Sequence, residues 1–486
     1  MAIILRDYQD DLVARTGQAL RRVRRVLIVL PPGGGKTVIA AFIAQAFAGR
    51  GQQTFFNCHR AELLKQTSGT FSNCGLPHSF IAAGMPMYVD ASVQVCSIDT
   101  LKNRVLKLKE PKVVIWDECH HIGAAGWAAI MAAWPNAYHI GLTGTPWRLD
   151  GTGLGEYFDE MVLGPTAADL IEWGSLAPYE IFAPSAPDMK GVRKEMGDFK
   201  KKDAEQRMRE PKLTGDILKH WMKHAKGTRT IGYAVNVAHS QYMADMFRQA
   251  GIRAAHLDGG TDDAERRRII REYADSDEYV LWNVGLFGEG FDLSAWAGRP
   301  CTIDAGILAN PTTSLSKYLQ ESMRPMRPAP GKVAVILDHA GNSNRHGFPD
   351  DERDWSLEGR AGDGRAANDN GPPPPLTCDG CFRQIRRPTP PQCPHCKKKL
   401  LADAKPIEVA DGELVKVTEA EKQRVRAQLK QEQAEAKTLD ELIALGRKRG
   451  HKFPQKWAMH VWANRRRAAP IPANDNLRKS NKHDAA

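Results

Sequence analysis

The chain has 486 residues, 42% of them apolar, with 68 Lys plus Arg against 57 Asp plus Glu and a formal charge of +11. At roughly 100–200 residues per domain it holds several cores, which excludes a single small binding module and wholesale disorder. Residues 1–376 carry 44 basic and 44 acidic side chains and residues 377–486 carry 24 and 13, so the entire excess is C-terminal. A neutral body with a basic end suits an engine with a polyanion anchor, since Lys and Arg that neutralise phosphates release counterions; a solvated, solubilising tail gives the same arithmetic. Near the start the longest apolar run is Val26–Leu30, too short to span a bilayer, and no charged-then-apolar leader precedes it. The expectation is a soluble, cytoplasmic protein without a membrane partner.

The first third repeats a short apolar run, a polar or Gly turn and a stretch of helical spacing. Val26–Leu30, Thr54–Asn57, Val93–Cys96, Val113–Trp116 and His139–Leu142 read as strands, and Val38–Ala48 and Ala61–Ser68 as helices. Such alternation builds a parallel sheet covered by helices on both faces. The pattern lapses between Thr166 and Gly227, a charged span with few strand signals, and then resumes. Thr230–Ala234, Ala254–His256, Tyr279–Asn283, Cys301–Ile303 and Val333–Leu337 read as strands, and His239–Gln249, Asp263–Ala274 and Thr313–Met323 as helices. Two α/β domains in tandem are expected, residues 1–165 and 227–345, with 166–226 connecting them. A linker follows over 346–375, ending in Pro372–Pro375. Lys416–Leu445 reads as helix within a basic helical region, 403–468, and 469–486 as a disordered tail.

Pro31-Pro32-Gly33-Gly34-Gly35-Lys36-Thr37 follows an apolar strand and opens a helix, the context a phosphate-binding loop requires. Glycines let backbone N–H groups converge on phosphates, Lys36 adds a charge and the Thr37 hydroxyl offers Mg²⁺ a ligand. Some 80 residues later, Val113–Trp116 delivers Asp117 and Glu118 to a strand end. Asp117 suits Mg²⁺ and Glu118 the polarisation of an attacking water, which together specify hydrolysis of a nucleotide rather than binding alone.

These features resemble the superfamily 2 helicases of the DEAD/DEAH type over roughly residues 3–340. Leu5-Arg6-Asp7-Tyr8-Gln9 is similar to the motif in which Gln reads adenine. Gly33–Thr37 and Asp117-Glu118-Cys119-His120 resemble motifs I and II. His59-Arg60 with Gln66, and Asp99-Thr100-Leu101, resemble segments that touch the nucleic-acid backbone. Thr143-Gly144-Thr145-Pro146 resembles motif III, Gly288-Glu289-Gly290-Phe291-Asp292 motif V, and Gln320 with Arg324 and Arg327 motif VI. The resemblance implies two RecA-like P-loop domains, with ATP in the cleft held by Arg6, Gln9, Gly33, Gly34, Gly35, Lys36, Thr37, Gly290, Asp292 and Gln320. It also implies catalysis by Lys36, Asp117, Glu118, Arg324 and Arg327, and nucleic-acid contacts at Arg60, Gln66, Thr100 and Thr145. An arginine arriving from the far domain makes hydrolysis depend on closure. Two positions depart from the family pattern: Met323 replaces the Gly before Arg324, and Trp116 replaces a small or branched residue before Asp117.

Cys378-x2-Cys381-x11-Cys393-x2-Cys396 supplies four thiolates in two knuckles, the pattern of a closed, structural Zn²⁺ site over residues 376–402. His395 sits between the last two ligands and is expected outside the site. Lys397–Lys399 follow, so the zinc ribbon is itself a candidate phosphate contact. Further on, Arg447–Arg449 and Arg465–Arg467 bracket Trp457 and Trp462, which suits either base stacking or packing within a small helical unit, packing being the expected role. The five remaining cysteines read as reduced thiols.

A helicase core followed by Leu337-Asp338-His339-Ala340-Gly341-Asn342 and a zinc ribbon most resembles the RadD-type branch, including phage relatives, a group associated with DNA repair and recombination. The reading is therefore an ATP-dependent helicase or translocase acting on DNA rather than RNA, with ATP, Mg²⁺ and Zn²⁺ as cofactors. Alternatives are the motor of a restriction system, an RNA helicase, or an ATP-gated clamp that does not unwind. Protein partners, such as single-strand-binding or recombination proteins, are not specified by the sequence.

Overall fold

The computed structural model describes residues 3–59, 61–122, 125–148, 151–184, 187–195, 198–208, 211–288, 293–359, 374–400, 419–449 and short pieces between 454 and 462. The chain forms two compact units, Met1–Ala402 and Asp403–Ala486.

The first unit holds two large sheets and two two-stranded ones. One comprises β1 (Arg25–Val29), β2 (Thr54–Cys58), β3 (Ser79–Ile81), β4 (Val93–Ser97), β5 (Val113–Asp117), β6 (Tyr138–Thr143) and β7 (Glu160–Leu163), in the order β3-β4-β2-β5-β6-β1-β7 with every pair parallel. Its central strands are buried on both faces, one core forming around Ile28, Ile115 and Ile140 and another around Leu27, Val114 and Trp116. That is why they read as unbroken apolar runs rather than alternating ones.

The second lobe starts at β8 (Tyr179–Phe182), passes a short hairpin of β9 (Lys194–Glu195) and β10 (Asp198–Phe199), and continues through β11 (Arg229–Ala234), β12 (Ala254–Leu257), β13 (Tyr279–Asn283), β14 (Ala305–Ala309) and β15 (Ala334–Asp338). The sheet order is β12-β13-β11-β14-β15-β8, again all parallel. In each lobe the strands' C-terminal ends lie at one edge, and there the loops that carry chemistry emerge.

Three local expectations need correction. The strand expected at Cys301–Ile303 lies instead at β14, where small residues, Ala305, Gly306 and Ala309, fit between neighbouring strands and beneath Pro325. Asp304, just before the strand, is tied through its side chain to Arg229. The span between the lobes, read as poor in strands, supplies the edge strand β8. Finally, the helix expected over 416–445 is two helices where it is described, Glu419–Glu435 and Leu439–Lys448. Thr438 begins the second by accepting from the Glu441 N–H while Glu441 reaches back to the Thr438 N–H, a reciprocal cap that favours a new helix start.

Residues 355–359, expected as part of a linker, are fastened across the first lobe. Trp355 meets Trp147 edge to face with ring centres 4.7 Å apart, the Trp147 indole donates to Ser356 O at 3.1 Å, and Gly155 N–H donates to Leu357 O at 2.8 Å. Just before this strap, Arg353 is tied to the second lobe, its guanidinium donating to the carbonyls of His346, Phe348, Pro349 and Asp351. Only Asp354 separates the two attachments, a span of under about 8 Å when extended. The ribbon strands β16 (Leu376–Thr377) and β17 (Gln384–Ile385) then return to the second lobe. There Arg383 pairs with Glu180 of β8 at 2.6 Å, Ala183 N–H donates to Phe382 O, and Arg386 pairs with Asp350 and Asp351.

In the second unit, Leu442 and Ala458 are buried, with Trp457 and Trp462 packed against them, and the Arg449 guanidinium lies 5.9 Å from the centre of the Trp457 ring. Among the described residues no helix is long and apolar enough to cross a membrane.

A Cβ at Gly153 would lie 1.9 Å from Leu357 O, a backbone atom that no rotamer change moves. Gly153→Ala should therefore detach the strap, at a cost of about 1–3 kcal/mol in stability. Limited proteolysis should show new cleavage between 351 and 359, with the sheets intact by circular dichroism.

Candidate functional site

The phosphate loop is shaped by Gly33 and Gly35, both in the left-handed region with φ of +85° and +87°. Side chains rarely adopt that conformation, and a Cβ at Gly35 would also strike the Gln9 amide at 2.4 Å. The N-terminal motif braces the loop: Tyr8 Oη donates to Gly34 O at 2.9 Å and Gln9 Nε2 to the same oxygen at 3.2 Å. Gln9 is buried, and its carbonyl accepts the Arg6 N–H at 3.0 Å. In this structure Gln9 thus supports the loop from behind, while Arg6 is exposed.

Lys36 opens the helix Lys36–Ala48, and its ammonium lies 3.3 Å from a carboxylate oxygen of Glu118. Both side chains are about nine-tenths buried, where a lone charge would be costly and a pair is tolerated. Glu118 is one of three non-glycine residues with positive φ among those described, at +46°. Strain of this kind persists where surrounding contacts dictate it. It turns Glu118 back toward the loop while Asp117, the last residue of β5, stays in the sheet. Thr37 is half-buried in the helix's first turn.

His120 connects this centre to two other segments. Its Nδ1 lies 3.5 Å from Glu118 and 3.1 Å from Thr143 Oγ1, and its Nε2 lies 3.5 Å from Ser316 Oγ on the second lobe. Thr143 Oγ1 in turn accepts the Thr145 N–H at 3.1 Å, so motif III hangs from the same histidine. Ser316 belongs to the helix Leu315–Met323, which also carries Gln320. A second contact joins the lobes: Leu176, in the core of the second lobe, sits where a Cβ at Gly33 would be 2.9 Å away. The charge on Lys36 is therefore linked to the second lobe by an unbroken series of polar contacts.

Arg324 is buried, and its guanidinium donates to Gly288 O of its own lobe at 2.5 Å; Arg327 is half-buried one turn on. Met323 is 2% exposed and packs in the second-lobe core, so its departure from Gly adds packing rather than blocking the arginine. Trp116 is likewise accommodated. Its indole stacks on Trp127 at 5.3 Å and donates to His139 Nδ1 at 3.2 Å, and burial lowers the His139 pKa to about 4, keeping that acceptor neutral.

Of the expected nucleic-acid residues, Gln66 and Thr100 are half-buried, with Thr100 Oγ1 accepting the Ala83 N–H at 3.2 Å, and Thr145 is buried. Arg60, Gly290 and Asp292 lie outside the described residues. The Leu337–Asn342 stretch is a built turn, in which Asp338 accepts from the N–H groups of Ala340, Asn342 and Ser343. Ser316 was missed by sequence reasoning, and no periodicity or motif singles it out.

The four cysteines of the ribbon converge with all sulfurs within 4.8 Å of one another. Cys378 faces Cys396 and Cys381 faces Cys393, each at 3.6 Å, and all but Cys396 are buried. Burial alone would raise the Cys393 thiol, but N–H groups of Cys396 and His395, together with hydrogen bonds from the Cys381 and Cys378 thiols, outweigh it and draw its pKa down to about 7. Four soft donors in tetrahedral reach fit Zn²⁺.

A phosphate loop and an acidic box facing an arginine-bearing second lobe define a two-lobed P-loop ATPase. A family model described as "Type III restriction enzyme, res subunit" matches residues 2–148, and one described as "Helicase conserved C-terminal domain" matches residues 213–329. A 51.5 kDa protein of a Lactococcus phage is 34% identical over 329 residues, 68% of each chain. The Putative ATP-dependent helicase IRC3 of Saccharomyces cerevisiae is 28% identical over 373 residues, 71% of this chain; the chain spans about half of IRC3's length, 52%. Among solved structures, the ATP-dependent Type ISP restriction-modification enzyme LlaBIII bound to DNA superposes with a TM-score of 0.50 at 16% identity, covering 69% of this chain and 28% of LlaBIII. The chain belongs to the superfamily 2 helicases and is an enzyme of their ATPase class.

Two outcomes are expected. Lys36→Ala should cut ATP turnover by about 100-fold or more and leave Glu118 as an unpaired buried charge, whereas Glu118→Gln should lose turnover to a similar degree while retaining ATP binding. Steady-state hydrolysis beside equilibrium nucleotide titration distinguishes them.

Glu321 is 2% exposed, and burial raises its pKa to about 7 from 4.5. The folded chain then holds a proton that the unfolded chain releases, so stability falls as pH rises from about 4.5 to 7. Glu321→Gln should therefore be more stable than wild type at pH 8, by up to about 3 kcal/mol, and equal to it below pH 4.5. Denaturant midpoints at the two pH values test this.

Proposed function

We propose that this protein closes its two lobes on ATP and Mg²⁺ and uses hydrolysis to move along DNA, in repair, recombination or phage replication, as a RadD-like motor. Thr37 and Asp117 hold Mg²⁺, Glu118 orients the attacking water, and Arg324 and Arg327 stabilise the transferring phosphate once closure brings them in. Gln320, Gly290 and Asp292 complete the second-lobe side. Nucleic-acid contacts fall to Arg60, Gln66, Thr100 and Thr145, the last of which is buried in this structure, and the four ribbon cysteines bind one Zn²⁺.

One observation carries this reading: the contact series Lys36–Glu118–His120–Ser316 runs from the phosphate loop into the other lobe. A change in charge at the γ-phosphate position alters Lys36's partner and, through His120, the cross-lobe contact. DNA is favoured over RNA by the DNA-bound restriction enzyme that shares the fold, while the basic C-terminal excess suits either polyanion. A second reading, the motor of a restriction system, is supported by the description of the first family model and by LlaBIII. ATP turnover measured with single-stranded, duplex and forked DNA and with RNA tests both. DNA-stimulated hydrolysis is expected, and stimulation by RNA alone would overturn the choice of DNA. Cleaved DNA would favour the restriction reading.

The basic excess divides between the ribbon, residues 377–402 with 6 basic and 1 acidic side chain, and residues 403–486 with 18 and 12. A chain ending at Ala402 keeps the ribbon on β8. It should retain basal hydrolysis but bind duplex DNA with a shallower salt dependence, the slope falling by about 0.9 for each phosphate that the shortened chain no longer neutralises. Binding isotherms from low to moderate salt measure that slope.

A further inference from the structure

The turn that carries the second lobe's two arginines is held by its backbone from two sides. It leaves the helix Leu315–Met323 as one tight turn, Arg324–Met326, in which Pro325 packs on Gly306 of β14, where a Cβ would meet its ring at 3.4 Å. Met326 O accepts the Ala177 N–H at 2.7 Å, and Ala177 follows Leu176, the residue packed against Gly33 of the phosphate loop. Arg327 then emerges extended, with φ −60° and ψ 133°, as the ring of Pro328 favours in the residue before it.

The second hold is Lys332. Its ammonium reaches back across the turn 328–331 and donates to Arg327 O at 2.9 Å and to Ile303 O at 2.6 Å. Ile303 lies two residues before β14 and Lys332 two residues before β15, so both ends of this tie are fixed to the sheet. Lys332 is half-buried, and burial draws its pKa down to about 8 while the Asp304 carboxylate opposes the shift. At neutral pH it therefore remains an ammonium, and both bonds are charge-assisted.

We infer that Lys332 is a positioning residue for ATP hydrolysis: by holding the Arg327 carbonyl against the sheet, it fixes the root from which the Arg327 guanidinium reaches the transferring phosphate. This rests on the role proposed above for Arg327. A guanidinium on a long side chain stabilises transition-state charge only from the right starting point, since a misplacement of about 1 Å can cost 100-fold in rate. An ammonium suits the task because its three donors let one side chain bridge two carbonyls.

The full-length chain carrying Lys332→Met tests the assignment, because methionine keeps much of the stem and loses the donors. Its kcat should fall by about 10- to 100-fold. Equilibrium affinity for ATP should stay unchanged, since a tie to a carbonyl adds no ground-state contact with the nucleotide. Lys332→Arg, which keeps charge and donors, should restore much of the rate. The discriminating measurement is the double variant: with Arg327→Ala already in place, Lys332→Met should lower kcat no further, because two residues that act through one group are not additive. A lysine that merely supported the fold would lower kcat by the same factor in either background. Should Lys332→Met fail to fold, Lys332→Gln, which retains an amide donor, carries the same cycle with a smaller loss.

Unchanged kcat in Lys332→Met, or equal losses with and without Arg327, would overturn the inference. So would a fall in ATP affinity that accounts for the loss of rate. The underlying reading of Arg327 fails by a different sign, wild-type turnover in Arg327→Ala alone.

Discussion

A lysine ammonium nine-tenths removed from water needs a counter-charge, and much of the first lobe's site is arranged to give Lys36 one. The partner, Glu118, reaches it at 3.3 Å only because the backbone turns into the left-handed region immediately after β5. That turn separates the two acids: Asp117 remains on the strand and Glu118 swings toward the loop. The same carboxylate lies beside His120, so the counter-charge for one lysine is also the first step of a path to Thr143 and to Ser316 in the other lobe. Because a buried ion pair loses much of its stability when one partner leaves, any group that competes for Lys36 is felt along that path.

The lobes are held by more than the chain between β7 and β8. Leu176 packs beneath the phosphate loop, and the strap at 355–359 is bound to the first lobe two residues after Arg353 is bound to the second. Two short crossings restrict how the lobes move on each other more tightly than one flexible connection would. The ribbon, which contributes a small excess of positive charge, rides on β8 of the second lobe through Arg383 and Arg386. Its position follows second-lobe motion, and its lysines are carried with it.

The departures from the family pattern show how a local substitution is absorbed. Trp116 is far larger than the residue it replaces, and it is accommodated by Trp127 of the helix Ala125–Ala133, which stacks on it, and by His139 of the neighbouring strand β6, which accepts from its indole. Neither partner is adjacent in sequence. Met323 fills second-lobe core in the same way, leaving Arg324 beside Gly288.

The sequence by itself determined what depends on contiguous residues. Both parallel sheets were legible because strands buried on two faces must be apolar throughout, and the phosphate loop, acidic box and cysteine knuckles were legible because their chemistry needs fixed types at fixed short spacing. Single weak strands escaped: β8 has only four residues and owes its place to pairing with β15, and β14 is built of small residues whose value lies in what they let approach. The tertiary structure alone decided that Glu118 pairs with Lys36, that Ser316 meets His120 and that a supposed linker is a strap. Each of these joins residues far apart in the chain. A pairing of that kind is selected by burial, charge and close packing in three dimensions, which leave no period or spacing along the sequence.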